Sequence, residues 1–178
     1  MAAVLLVAAT EIELCDHDGL ACGVGPVEAA VATARELALR PPSAVVHVGI
    51  AGGRGITPGA LVIGTESVYC DIAAEIPVVE RAVPDEALLS VVRAALPDAL
   101  ALPIGTSAAV GGADTGLRVE AMEGFGVLRA CAQAGIPAIE IRAVSNEITE
   151  ADRGRWRIGR ALEAIAEAIP PVLAATAK

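Results

Sequence analysis

Val119–Glu147, VEAMEGFGVLRACAQAGIPAIEIRAVSNE, holds the pattern that decides the fold. It reads as a helix with Met122 and Glu123 near its start, a break at Gly135–Pro137, and a buried strand over Ala138–Val144. The strand ends on the polar pair Ser145 and Asn146. In an open α/β sheet, ligands collect at the C-terminal ends of strands. A carboxylate and an amide are therefore expected in one crevice, with the remaining segments as its walls.

Working outward, the chain alternates short apolar runs with helical periods. Ala3–Ala9 reads as a first strand, followed by a loop carrying Glu11 and Glu13. Glu11 fits a solvated loop edge, and the pattern leaves Glu13 open between that and a functional role. A short strand over Leu20–Val24 leads through Gly25 to a helix from Pro26 to Leu39, with proline at its first position and Val27, Ala30, Val31, Ala34, Leu37 and Ala38 at helical spacing. Ala44–Ile50 is a buried strand opening into Ala51-Gly52-Gly53. Glycines after a strand let a flat ligand approach the main chain, and a tight turn is the equal alternative. His47 within this strand reads more readily as a satisfied core residue than as a catalyst.

A strand over Ala60–Val68, a surface excursion over Asp71–Val83, a helix over Pro84–Leu96 and a strand over Leu100–Ser107 follow. Turn chemistry accounts for Asp114 in the Gly-rich stretch Gly111–Thr115. The last helix begins near Thr149, presents Trp156, Leu162, Ile165 and Ile169, and ends at Pro170-Pro171, leaving residues 172–178 as a frayed tail. The expectation is one domain over 1–178, an α/β three-layer sandwich in which helices flank a mixed, largely parallel central sheet.

Composition narrows the function. With 178 residues, 54% of them hydrophobic, the chain can bury a sizeable core. Charges, Gly or Pro interrupt every apolar run before about 20 residues, which argues against a membrane span. The N-terminus lacks the basic region of a secretory signal, so a cytoplasmic protein is expected. A net charge of -9, with lysine only at Lys178, argues against a nucleic-acid surface. One Trp, one Tyr and one Phe argue against base-stacking platforms. Cys15, Cys22, Cys70 and Cys131 have no metal-ligand spacing and read as reduced, packed thiols. No metal and no cofactor are expected. GVGPVEAA lacks the full glycine fingerprint of a dinucleotide site.

The motifs in their joint order resemble a family. EAMEGFGV, followed 23 residues after Glu123 by RAVSN, is similar to the MEA-type helix and RAxSD/N strand end of the nucleoside phosphorylase and nucleosidase superfamily. VGIAGG resembles that superfamily's GSAGG loop, GVGPVEAA its GxGxxxAA helix start, and VAATEIE its first strand with a general-base Glu. MEG, the SN strand end and a tryptophan ten residues later are similar to the futalosine hydrolase branch. That resemblance implies a nucleoside phosphorylase-like fold, no cofactor, a homo-oligomer, and cleavage of hypoxanthine from futalosine within an alternative menaquinone pathway.

It also implies roles. Breaking an N-ribosidic bond builds positive charge on the sugar and negative charge on the base. By resemblance Glu13 would deprotonate the attacking water, and Glu123 would hold the ribose hydroxyls beside the cationic sugar. Asn146 would donate to O6 and accept from a protonated N7, which favours a 6-oxopurine. As a plainer alternative, Asn146 is a strand-end residue that caps the next helix. Met122 would lie on the ribose, the main chain of Ala51 and Gly52 along the base, and Trp156 over it as a lid or else as core filler. Ser145 and Arg142 share the strand that delivers Asn146. Arg142 would place the water or a carboxylate, its plainer reading being a buried partner for Glu140 or Glu123. Ile50 replaces the loop serine that helps hold the water in adenine-releasing nucleosidases, a departure that leaves the water's partners open. His47 stands where phosphorylases of the superfamily tend to place a phosphate-binding Arg, and Gly105-Thr106-Ser107 offers no basic partner, so hydrolysis is favoured over phosphorolysis. The alternatives are an adenine-releasing nucleosidase, acting on methylthioadenosine, adenosylhomocysteine or aminodeoxyfutalosine, and a non-catalytic nucleoside-binding module.

Overall fold

The structure, a computed structural model, describes residues 3–72, 75–110 and 116–177. The turn expected at Gly111–Thr115, with Asp114, lies outside the described residues. In chain order the elements are β1 (Leu5–Ala8), β2 (Leu20–Ala21), α1 (Pro26–Leu39), β3 (Val45–Gly53), β4 (Leu61–Tyr69), β5 (Arg81–Ala82), α2 (Glu86–Ala95), β6 (Leu100–Thr106), β7 (Val119–Ala121), α3 (Gly124–Ala134), β8 (Ala138–Glu147) and α4 (Ile158–Thr176). Single 3-10 turns lie at Glu11–Leu14 and Arg153–Arg155.

α1 has the bounds expected from Pro26, but it buries a different stripe. Ala29, Thr33 and Leu37 face inward while Val27 and Val31 are 68% and 64% exposed. The reason is how closely α1 lies to α3. A Cβ on Gly126 of α3 would overlap the carbonyl of Pro26, so only the small-residue face of α1 fits there.

The sheet is mixed and largely parallel, as the sequence indicates, but it is not the flat middle layer of a sandwich. β3 pairs with β8, β8 antiparallel with β4, β4 with β6, β6 with β7, and β7 antiparallel with β3. These five strands close a barrel. β1 and β2 extend it from β3, and β5 extends it from β4. The sequence reading missed two strands, the two-residue β5 inside the expected surface excursion over Asp71–Val83 and β7: the helix expected over Met122 and Glu123 begins only at Gly124, with Glu123 at its N-cap. Three residues are too short for an alternating pattern to announce a strand.

Three apolar clusters hold the layers. Ala51, Val62, Ile104, Val119, Ala121 and Val144, drawn from all five closed strands, fill the barrel. Val46, Val48, Ile139 and Ile141 pack against Val92 of α2 and Ile165 and Ile169 of α4. Val7, Val45 and Ala138 pack against Ala29 and Leu37 of α1 and Val127 and Leu128 of α3. Each such buried Val, Leu or Ile contributes about 1.5–3 kcal/mol.

The final helix also corrects the sequence reading. It begins at Ile158, so Trp156 precedes it, and it runs through Pro170 and Pro171 to Thr176 instead of ending there. Both prolines lie on the exposed side of the helix, and fully buried Val172 anchors the turn beyond them. No helix among the described residues is long and apolar enough to cross a membrane.

Candidate active site

The chain leaves β1 through the 3-10 turn at Glu11–Leu14 and reverses at Cys15 and Asp16, both in the left-handed region with φ 51 and 63. This tight return turns Glu13 inward at 8% exposure and leaves Glu11 in solvent. Glu13 Oε1 accepts a hydrogen bond from the Ile50 N–H at 3.0 Å, and Oε2 accepts from Thr10 Oγ1 at 2.9 Å. Ile50, which lacks the serine hydroxyl of the resembling loop, thus contributes its backbone amide.

Glu123 comes from the junction of β7 and α3 and is 4% exposed. Its Oε1 accepts from the N–H of Gly25 at 3.2 Å, at the start of α1. Its Oε2 lies 3.4 Å from Nη2 of Arg142. Burial pushes the Glu123 carboxyl above the usual range, while Arg142 and the Gly25 amide pull it back.

Arg142 is fully buried on β8, with Nε donating to Glu140 Oε1 at 2.8 Å. Its Nη2 faces His47 Nε2 at 2.5 Å. His47 Nδ1 sits 3.1 Å from the carbonyl of Val7, the arrangement of a neutral ring with the proton on Nδ1. Burial first, and Arg142 second, lower its pKa well below the histidine range. His47 is therefore a satisfied core residue, and Arg142 is the partner of Glu140 and Glu123. Among the described residues Arg142 Nη1 has no hydrogen-bond partner. A Cβ on Gly49 would overlap that nitrogen and lie 2.9 Å from Glu13 Oε1, so only glycine lets the guanidinium and Glu13 approach there.

At the end of β8, Ser145 Oγ lies 2.7 Å from Asn146 Oδ1 and 3.2 Å from the Ala51 carbonyl. Asn146 Nδ2 donates one hydrogen to the Glu147 carbonyl at 3.0 Å and keeps a second. Trp156 donates from Nε1 to the Glu150 carbonyl at 3.0 Å, and Arg153 lies 5.7 Å from its ring centroid.

One cavity of about 300 Å³ joins these groups. Glu13, Ala51, Gly52, Met122, Glu123, Ser145, Asn146 and Trp156 all line it; Arg142 stands behind Glu123 and does not. The sequence reading missed Glu120, which shares the lining, and apolar lining residues that include the exposed Ile12, Val24, Val110 and Ile158 and the buried Ile148. The alternation of Glu120 and Met122 along β7 carried the signal for the former, once β7 is recognised as a strand. Among the described residues no group of His, Cys, Asp and Glu is arranged to hold a metal ion.

The sequence profile of the phosphorylase superfamily matches residues 19–176. Glu13 precedes the matched span, and it is the cavity that joins it to the site. A futalosine hydrolase of Streptomyces coelicolor is 37% identical over 179 residues, covering 85% of this chain and 76% of that protein. Among solved structures, the futalosine hydrolase of Helicobacter pylori matches with a TM-score of 0.86 at 13% identity, over 97% of each chain. A 5'-methylthioadenosine/S-adenosylhomocysteine nucleosidase of Colwellia psychrerythraea in complex with adenine matches with a TM-score of 0.87 at 18% identity, over 98% of this chain and 95% of that one.

Proposed function

The chain belongs to the phosphorylase superfamily and, within it, to the futalosine hydrolases, and from that premise we propose that it cleaves the N-ribosidic bond of futalosine with water. The products are hypoxanthine and dehypoxanthine futalosine. The observation that carries the reading is the meeting of Glu13, Glu123 and Asn146, from three distant segments, in one cavity.

Each carboxylate has a distinct task. Glu13 is held by two donors, the Ile50 amide and the Thr10 hydroxyl, and keeps lone pairs free to orient a water and take its proton. Glu123 accepts the ribose hydroxyls, and its charge, next to the sugar, stabilises the oxocarbenium character that develops as the bond breaks. Asn146 offers its second amide hydrogen to O6, and its oxygen, already accepting from Ser145, has a lone pair for a protonated N7. Met122 lies against the ribose, Ala51 and Gly52 along the base plane, and Trp156 closes over the base. Arg142 keeps Glu123 in place from behind. Four unpaired cysteines suit a reducing, cytoplasmic setting.

Incubation with futalosine, inosine, methylthioadenosine and adenosylhomocysteine, followed by chromatography of the free base, tests the reading. Hypoxanthine from futalosine is the expected product, without added phosphate or metal, and Glu13→Gln should reduce its release by about 10²–10⁴-fold. Tight nucleoside binding with no free base would assign a binding module instead.

A further inference from the structure

Behind Glu123, four side chains at zero exposure form a continuous polar chain: Ser67, Glu140, Arg142 and His47. Ser67 Oγ donates to Glu140 Oε2, Glu140 Oε1 accepts from Arg142 Nε at 2.8 Å, and Arg142 Nη2 reaches both His47 and Glu123. The Glu140 carboxylate occupies the space beside Gly124, the residue that follows Glu123. A Cβ at 124 would overlap both of its oxygens. Glycine at 124 and glutamate at 140 are thus two halves of one fitting, 16 positions apart.

A guanidinium on a long side chain has several rotamers, and burial alone does not choose among them. Here the choice is made at Nε, where Glu140, itself fixed by Ser67, sets the plane of the fork. That plane aims Nη2 at Glu123 and leaves Nη1 on the Glu13 side, where Gly49 gives it room.

We propose that Glu140 is a positioning residue for the reaction: clamped by Ser67 and seated in the space left by Gly124, it fixes Arg142 against Glu123. The proposal rests on the function proposed above only for what Glu123 does, because the placement of Arg142 can be read without any substrate.

The groups that face Glu123 or its partner are Arg142, Glu13, Glu140, Cys22 and His47. The Cys22 thiol is pushed up to about 12, mainly by burial, and His47 is neutral. Arg142 pulls the Glu123 carboxyl down and Glu140 pushes it up, Arg142 being the stronger. Position and charge therefore predict opposite signs. If Glu140 only contributes charge, removing it lowers the Glu123 midpoint. If it holds Arg142, removing it frees the guanidinium and the midpoint rises.

The test uses the full chain labelled with 13C at glutamate carboxyls, with the Glu123 signal assigned by its loss in Glu123→Gln. In the double variant Glu140→Ala/Gly124→Ala, where the added methyl refills part of the space, the Glu123 midpoint should rise and futalosine kcat/KM should fall by about a hundredfold. Gly124→Ala alone should give the same rise, because it expels the carboxylate. In Glu140→Gln, which keeps an acceptor for Nε, the midpoint should not rise. A double variant that folds with an unmoved or lowered midpoint, or with wild-type kcat/KM, overturns the proposal. Should neither alanine variant fold, Ser67→Ala removes the clamp without removing charge: a raised midpoint supports the proposal and an unmoved one overturns it. Wild-type protein that releases no base from futalosine counts against the proposed function, while the Glu123 midpoints still report on the positioning of Arg142.

Discussion

Under the proposed function, Asn146 selects the base through one amide. Its oxygen accepts a hydrogen bond from the Ser145 hydroxyl, and its nitrogen donates one hydrogen to the Glu147 carbonyl and keeps a second for a ligand in the cavity that Asn146 lines. A 6-oxo group finds a donor there, whereas a 6-amino group meets hydrogen against hydrogen. Leaving such a pair unsatisfied costs about 1–3 kcal/mol. Asn146→Asp supplies a carboxylate oxygen in place of the nitrogen, so the ratio of kcat/KM for futalosine over that for methylthioadenosine should fall by about tenfold to a hundredfold. Measured on both substrates, an unchanged ratio would count against the assignment. The residue types of this site were readable in the sequence because Glu13, Glu123 and Asn146 each close a recognisable motif. The fit of Glu140 to Gly124 was not, since nothing local marks two residues on different elements as sharing one volume.

At the scale of elements, legibility followed local chemistry. α1 has the expected bounds because Pro26 fixes its first turn, β3 and β4 are long runs with four β-branched residues each, and β6 is a mostly apolar run of seven residues. β7 has three residues, and the barrel closes only through it and the antiparallel pairing of β4 with β8, so closure has no local signature. α2 tests the local side of this division. Asp85 accepts from the Leu88 N–H at 2.9 Å and caps the helix. Asp85→Ala removes that acceptor and should cost about 1 kcal/mol. For a chain of this size that corresponds to a fall in Tm of about 2–4 °C. No residue of α2 lines the cavity, so kcat/KM should be unchanged; thermal unfolding and base release on one preparation check both.

Over the whole molecule, two surfaces remain to be accounted for, one outside and one inside. Val27 and Val31, one turn apart on α1, are largely exposed, and Val24 just before them lies on the cavity rim. This apolar stripe suits a second copy of the chain, and light scattering at micromolar concentration should give a dimer or larger, with a monomer contradicting it. Inside, the buried His47 and Glu123 are shifted in opposite senses. His47 has a depressed folded pKa, so the fold favours its neutral form. That contribution is fully present above the unfolded value of about 6.5 and is lost as pH falls towards the folded value. Glu123 has a raised folded pKa, so the fold binds its proton more tightly than the unfolded chain does, and stability is gained as pH falls through that raised value. The two contributions have opposite signs as pH falls, so the His47 part is isolated by comparison with a variant that lacks it. His47→Asn keeps a donor for the Val7 carbonyl and removes the titration. The stability of wild type minus that of His47→Asn should therefore shrink as pH drops from 7.5 to 5, by up to about 1.4 kcal/mol per pH unit below 6.5. Denaturant unfolding of both proteins across that range measures the difference, and two parallel curves would mean that His47 does not titrate as its burial requires.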